Sequence, residues 1–276
     1  MAAEISFAVE TPRGSRTLSV TYERRGSGDP LLLLHGIGHH WQAWEPVMDI
    51  LAANRDVVAV DLPGFGVSPA LPDGVPYDLR TVCTALDSFC EALGIDRPHV
   101  AGNSLGGLLA LELGREKRVR SVTALSPAGF WSEAERRYAF TTLRTMRVGA
   151  RSMPLPLIER LSRSTAGRTA LLSTIYARPG RRSPEAAAAE TLALRGATGF
   201  HETLAAGGST LFTDDVRDVP VTIAWGSRDW LLPRRQGVRA KHVIPLARLV
   251  RLPGCGHVPM SDDPALVARV LLDGSR

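Results

Sequence analysis

The chain has 276 residues, 44% of them hydrophobic and 22% charged, and a net charge of +5 at neutral pH. That balance excludes a disordered or fibrous protein and supplies a sizeable core for one large α/β domain or two small ones. No apolar run approaches the ~18 residues of a membrane span, and the first residues, with Glu4, lack a basic-then-apolar leader, so a cytoplasmic protein is expected.

The predicted elements alternate along the chain. Residues 5–10 and 17–24 alternate apolar with polar side chains around Pro12-Arg13-Gly14, the pattern of a hairpin. Residues 31–34 form a short all-apolar run ending at His35-Gly36, which suits a strand buried on both faces. A helix is predicted over 41–53, with Trp44, Val47, Met48 and Leu51 on one face. A second buried strand covers 57–60. A third segment, 78–93, places Leu79, Val82, Leu86, Phe89 and Leu93 at helical spacing, with Gly94 to end it. Strands follow at 99–102 and 119–125, with a helix starting near Leu105 between them.

From Trp131 the alternation stops. About 80 residues read as helix, with breaks at Pro154/Pro156, Pro179-Gly180 and Gly207-Gly208. A strand at 221–225, a helix at 234–243, a strand at 247–252 and a helix at 264–272 complete the chain. Strand and helix alternating on both sides of one helical insertion predict a mostly parallel sheet with helices on both faces. The expected division is a core of 1–130 and 213–276 and a helical cap of 131–212, set over the sheet edge where open α/β sheets bind ligands.

Charge and cysteine usage narrow the classes further. Residues 131–212 hold twelve arginines, no lysine and six glutamates, so the basic excess lies in the insertion. Only Lys117 and Lys241 occur in the whole chain, which makes compositional bias toward arginine one explanation and a basic face for an anionic substrate or acidic partner the other. No nucleic-acid-binding module is recognisable. Cys83, Cys90 and Cys255 are too few for a disulfide framework, and Cys83 and Cys90 on one helix lie roughly 10 Å apart, out of bonding reach.

The most informative segment is Gly102-Asn103-Ser104-Leu105-Gly106-Gly107, a G-x-S-x-G pattern between a predicted strand and a predicted helix. Such a turn tolerates no bulk beside the serine and exposes its Oγ above the sheet. The Leu105 N–H at the helix N-terminus can then donate to an oxyanion. A serine hydroxyl needs a base. His257, in the loop after the last predicted strand, is the best placed of seven histidines. The base needs a carboxylate to hold its tautomer, and Asp229, after the strand at 221–225, lies on the same sheet edge. Asp214, Asp215 and Asp218 precede that strand, and Asp262 and Asp263 are expected to cap the last helix. A second oxyanion donor is expected from His35-Gly36-Ile37-Gly38, through the Ile37 N–H. The expected pocket comprises Gly36, Gly38, Trp41, Asn103, Phe130, Trp131, Trp230 and Val258, an apolar acyl or aromatic site.

Taken together, His35-Gly36, Asp61 to Gly66, the Ser104 turn, Trp225-Gly226 with Asp229 and Pro233, and Gly256-His257 with Pro259 and Pro264 resemble the α/β-hydrolase superfamily nearly end to end, the insertion excepted. The resemblance implies an α/β-hydrolase fold, with an eight-stranded sheet whose second strand is antiparallel, and a cofactor-free site. Ser at 104 departs from the aspartate nucleophile of the haloalkane dehalogenases and epoxide hydrolases of that superfamily. An insertion without lysine departs from plant-type hydroxynitrile lyases. The Ser104 turn is similar to that of meta-cleavage-product hydrolases, which cleave carbon–carbon bonds, although those enzymes commonly carry tryptophan where this chain has Val258. The expected activity is hydrolysis of a small-molecule ester or lactone by a serine hydrolase. Carbon–carbon hydrolysis and a non-catalytic ligand-binding protein on the same fold are the alternatives. No metal or other cofactor is expected: no Gly-Lys-Ser/Thr phosphate loop, dinucleotide fingerprint or metal-ligand spacing occurs.

Overall fold

The computed structural model describes residues 2–11 and 14–276. Pro12 and Arg13, two of the three residues expected to turn the hairpin, lie outside the described residues. The strands on either side pair as expected: β1 (Ala3–Thr11) runs antiparallel to β2 (Gly14–Gly26).

The sheet continues through β3 (Pro30–Leu34), β4 (Asp56–Val60), β5 (His99–Asn103), β6 (Ser121–Leu125), β7 (Val221–Gly226) and β8 (Arg248–Leu252). Its order is β1-β2-β4-β3-β5-β6-β7-β8. β2 is antiparallel to both of its neighbours, and the strands from β4 onward are parallel. Every residue of β4, β5, β6 and β7 is buried, which is why these strands, β4 above all, do not alternate apolar with charged side chains. This is the α/β-hydrolase fold that the sequence leads one to expect.

The helices of the sheet are α1 (Glu45–Ala52), α2 (Leu79–Ala92), α3 (Leu105–Arg115), α9 (Arg235–Val243) and α10 (Pro264–Gly274). α1 packs against α10, and α2 against α3. The single helix expected over 41–53 is divided: Trp41–Trp44 is a 3₁₀ turn and α1 begins after it. Pro46 explains the division, because a residue without an N–H is accommodated in a first helical turn and not in an interior. α2 starts where Asp78 accepts a hydrogen bond from Thr81 N–H, 2.8 Å. Cys83, Cys90 and Cys255 are free and buried.

Between β6 and β7 the chain forms α4 (Glu133–Ser152), α5 (Leu155–Arg163), α6 (Thr165–Leu172), α7 (Pro184–Gly196) and α8 (Phe200–Ala206). The breaks fall at the prolines and glycines expected, with two more, one at 197–199 between α7 and α8 and one at Ser164, which caps α6 by accepting from Gly167 N–H. α4 opens with a capping box between Ser132 and Glu135. Glu135 also pairs with Arg235 and Arg239, fastening the insertion to α9.

Much of the arginine excess has a use inside the insertion. Arg147 donates to the Leu194 and Ala197 carbonyls, Arg168 to Ser162 and Gly180, and Arg195 to Ala150, Arg151 and Met153. These carbonyls lie at helix ends, where the helix itself provides no donor. An acidic partner is therefore not needed to account for these three cations. No helix among the described residues is long and apolar enough to cross a membrane.

Candidate active site

The sheet order changes direction between β3 and β5, so the loops leaving their carboxyl ends part company there and open a crevice. The loop after β3 carries Gly36, Ile37, Gly38 and His39. The turn after β5 carries Ser104. Both line a cavity of about 210 Å³, together with Asn103, His257, Val258 and Leu231.

Ser104 sits at φ +56°, ψ −113°, a conformation that costs a side-chain-bearing residue of order 1–3 kcal/mol. The surroundings impose it. Ser104 N–H donates to the Leu125 carbonyl, and the Ser104 carbonyl accepts from Leu108 and Ala128 N–H. Glycine is required on both sides, since a Cβ on Gly102 would overlap the Gly106 carbonyl and one on Gly106 would overlap the Leu34 carbonyl. Gly36 passes close to the serine: a Cβ there would come within 3.2 Å of the Ser104 Cβ. The Ile37 and Leu105 backbone N–H groups have no acceptor among the described residues. Leu105 is the first residue of α3, where the positive end of the helix dipole lies.

His257 and Asp229 come together from the loops after β8 and β7. His257 Nδ1 and Asp229 Oδ2 are 2.8 Å apart, with both side chains almost fully buried. Asp229 Oδ1 accepts from the Leu231 and Leu232 N–H groups at 3.0 and 2.8 Å, so the carboxylate is held at both oxygens. The rival aspartates are elsewhere: Asp215 and Asp218 pair with Arg217 and Lys117, and Asp214 with Arg115.

Asn103 has a more specific place than the expected one in the pocket wall. Its Nδ2 donates to the Leu125 and His257 carbonyls at 3.1 and 2.9 Å, binding the histidine loop to the serine turn. Asp262 departs from expectation. Asp263 alone caps α10, accepting from Leu266 N–H. The Asp262 carboxylate instead accepts from Gly256, Ala177 and Arg178 N–H, which ties the loop next to His257 to the insertion. Two adjacent aspartates before a helix look alike in sequence, and only one of them can occupy the cap.

Four aromatic residues expected at the pocket lie away from the cavity. Trp41 is packed in the core, with its N–H on Asp61. Phe130 packs on Phe212, and Trp131 edge-on to Phe140. Trp230 is 68% exposed. Trp41, Phe130 and Trp131 close the core and the seam below the insertion, and Trp230 faces solvent. The cavity walls come instead from Leu143, Met146, Ala150 and Met153 of α4 and its end, from 170–172, Thr174 and Ile175, and from Glu190, Thr191 and Leu194 of α7. The spacing of Leu143, Met146, Ala150 and Met153 is that of one helical face, the signal by which they were findable.

The family described as alpha/beta hydrolase fold matches residues 29–264. The chain belongs to that family. An uncharacterised protein of Mycobacterium tuberculosis is 26% identical over 253 residues, covering 87% of this chain and 73% of its own. A 2-hydroxy-6-oxo-2,4-heptadienoate hydrolase of Pseudomonas putida is 35% identical over 109 residues, 38% of this chain and 39% of that one. Among solved structures, an esterase of Thermogutta terrifontis superposes with a TM-score of 0.75 at 20% identity, covering 98% of this chain and 97% of that one. Membership of this family and the hydrolases among its relatives make the chain an enzyme of the hydrolase kind.

The β3 loop also sets a pH dependence for this hydrolase. His35, His39 and His40 are buried. His35 Nε2 accepts from Leu62 N–H while Nδ1 faces the Gly36 carbonyl, which is the neutral tautomer. Burial lowers the His35 pKa to about 3 and the His40 pKa to about 4, and takes His39 well below the ordinary value of 6.5. The unfolded chain therefore binds protons below pH 6.5 that the folded chain refuses, and stability falls as the pH drops from 6.5 toward 4. Each histidine contributes up to about 1.4 kcal/mol per pH unit in that window. The carboxyls of Asp61, raised by burial to about 6, and of Glu190, also raised, act in the opposite sense. Three groups outweigh two. The melting temperature is expected to drop between pH 6.5 and 4.5, and His40→Leu is expected to flatten that drop. A profile level across this range, in differential scanning calorimetry, contradicts the assignment.

Proposed function

We propose that the chain is a serine hydrolase that cleaves a carboxylic ester or lactone through an acyl-enzyme. Ser104 is the nucleophile, His257 the general base and acid, and Asp229 the carboxylate that holds the imidazole. The observation that carries this reading is the 2.8 Å contact between His257 Nδ1 and Asp229 Oδ2, with His257 and the left-handed Ser104 opening on one cavity.

The reaction follows from the donors and acceptors. His257 takes the Ser104 proton as Oγ attacks the carbonyl carbon. The oxyanion accepts from the Ile37 and Leu105 N–H groups, a pair of donors in which each one is typically worth about 3 kcal/mol of barrier lowering. His257 returns the proton to the leaving alcohol. Water then attacks the acyl-enzyme, with His257 again as base, and releases the acid. Asp229 remains ionised throughout and stabilises the imidazolium. The insertion, 131–212, acts as a cap whose α4 and α7 faces enclose the acyl group and set its size.

One reading competes with this one: the partial relationship to the Pseudomonas putida hydrolase favours carbon–carbon cleavage. A fluorophosphonate probe followed by peptide mass spectrometry separates them. Labelling is expected at Ser104 and is expected to vanish in Ser104→Ala, with ester turnover reduced on the order of 10⁶-fold. Labelling retained by the alanine variant refutes the nucleophile. Labelling at Ser104 with no turnover of any ester or lactone, but with turnover of a vinylogous 1,5-diketone, transfers the assignment to the second reading.

A further inference from the structure

The cavity has a closed end and an open end. Around Ser104 and His257 its walls are buried, with Leu172, Ile175, Leu231 and Val258 among them. At the other end Met146, Gly149 and Met153 are partly exposed and Ala170 of α6 is exposed, so α6 and the end of α4 border the opening. The wall presents little charge. His39 and Glu190 are its ionisable side chains besides His257, and both are turned to Tyr176, whose hydroxyl donates to Glu190 Oε1 at 3.0 Å and lies 3.4 Å from His39 Nε2. Arg182 also donates to Glu190 Oε1 and neutralises it. Burial keeps His39 neutral, and the remaining polar atoms of the pair, Glu190 Oε2 and His39 Nδ1, are buried as well. A substrate group in this cavity meets mainly hydrocarbon, from Leu143, Met146, Met153 and Leu194.

Gly149 is the unusual residue of this rim. It stands in the last turn of α4, at the margin of the face that carries Leu143, Met146, Ala150 and Met153. Its backbone is helical and not left-handed, so no turn requires a glycine there. A Cβ at Gly149 meets no atom of the described residues within 4 Å, so no close approach requires one either. Gly102 and Gly106 are the opposite case, where a Cβ overlaps backbone. A helical glycine is less favourable than alanine, and here neither conformation nor packing offsets that cost. What the missing side chain leaves is room at the mouth of the cavity. The cavity itself is short: an apolar space of about 150 Å³ holds one benzene ring. By that measure about 210 Å³ holds roughly eight non-hydrogen atoms, the reacting carbonyl included.

We propose that Gly149 determines chain-length specificity by holding open an exit for the substrate's acyl chain, so that the preferred substrate is an ester whose apolar acyl chain is longer than the cavity, about eight carbons or more, and leaves it past Gly149 and Ala170. The carbonyl lies at Ser104, the first carbons fill the apolar space, and the rest of the chain passes out along the end of α4. A side chain at Gly149 closes that route and turns the cavity into a short pocket. This assignment rests on the serine hydrolase reading for the place of the carbonyl, but not for the course of the chain.

A chain-length series tests it. p-Nitrophenyl butanoate and decanoate are compared below their solubility limits, and the quantity read is the decanoate-to-butanoate ratio of kcat/KM, which a general loss of activity does not move. The wild-type protein is expected to favour decanoate about 10-fold or more. Gly149→Leu is expected to lower that ratio about 10-fold or more. Ala170→Leu, on the other border of the opening, is expected to act in the same direction and decides the matter if Gly149→Leu does not fold. Gly149→Ala is expected to raise the melting temperature by about 1–3 °C, since the helix gains and nothing is displaced. A wild-type ratio below 1, a ratio unchanged by the leucine substitution, or a melting temperature lowered by the alanine overturns the proposal. Calorimetric binding of methyl butanoate and methyl octanoate to Ser104→Ala, with and without Gly149→Leu, separates this from the catalytic reading. Tighter binding of the octanoate that Gly149→Leu abolishes, without turnover of any ester by the wild type, sinks the hydrolase reading and keeps the exit. Turnover indifferent to chain length does the reverse.

Discussion

Asn in place of Asp229 is expected to lower kcat for ester hydrolysis by about 10⁴-fold with little loss of stability. The reason lies in how the carboxylate is held. Oδ1 accepts from the Leu231 and Leu232 N–H groups, and only Oδ2 faces His257. An asparagine is obliged to keep its carbonyl oxygen on the two backbone donors, which places its NH₂ against His257 Nδ1. An NH₂ can only donate, so Nδ1 becomes the acceptor and the imidazole proton moves to Nε2. A base that already carries a proton on the nitrogen meant for Ser104 cannot remove another. Because the amide preserves the backbone bonds, the melting temperature is expected to stay within a few degrees of wild type. Activity within 10-fold of wild type at neutral pH means that Asp229 does not orient the base.

Asp262→Ala is expected to be the most destabilising single polar deletion near the site. The carboxylate is buried and accepts from Gly256 at 2.8 Å, Ala177 at 3.1 Å and Arg178 at 2.8 Å. Without it three backbone donors lose their partner, each at a cost of about 1–3 kcal/mol when buried. A total on the order of 4 kcal/mol lowers the melting temperature of a chain this size by about 10 °C. The effect is local as well as global. Gly256 precedes His257, and Val258 N–H donates to the Ile175 carbonyl of the insertion, 2.9 Å. The histidine loop thus leans on the segment that follows α6, and loosening one loosens the other. Hydrogen exchange is expected to accelerate at Gly256, Ala177 and Arg178 before it does so in β5 or β6, and kcat is expected to fall more than KM rises. Unchanged exchange at those three amides removes Asp262 from this role.

The two substitutions separate two kinds of residue. In the proposed reaction Asp229 acts on the reacting proton through one hydrogen bond, and its loss is chemical. Asp262 acts through the backbone, and its loss is structural first. Asn103 resembles Asp262 in this respect, since its side chain holds the His257 carbonyl and its neighbour is Ser104, the proposed nucleophile. The site is braced from the serine turn by Asn103 and from the insertion by Asp262.

The fold, and the residues proposed to carry the chemistry, were legible in the sequence for local reasons. Buried parallel strands announce themselves as short apolar runs because both their faces are covered, as in β4 and β7. Gly102, Ser104 and Gly106 are recognisable because one tight turn must satisfy its sterics within a few residues. Asp229 and His257 could be singled out because parallel strands deliver the loops that follow them to a common edge, so position after a strand is itself spatial information. The walls of the cavity had no such shortcut. The faces of α4 and α7 are visible as apolar stripes, but a stripe does not say what it covers, and of the aromatic residues beside the motifs Trp41 and Phe130 turned to the core and Trp230 to solvent. Asp262 and Asp263 carry identical side chains at consecutive positions, and only the packing of the insertion against the histidine loop gives them different tasks. Glu190 bonded to Tyr176 and Arg182, with Tyr176 in turn 3.4 Å from His39 Nε2, joins three parts of the insertion to the β3 loop across more than a hundred residues. What one turn or one strand must satisfy by itself was written in the chain. What depends on which surfaces meet was decided by tertiary structure, because burial and proton sharing are properties of the meeting and not of either partner.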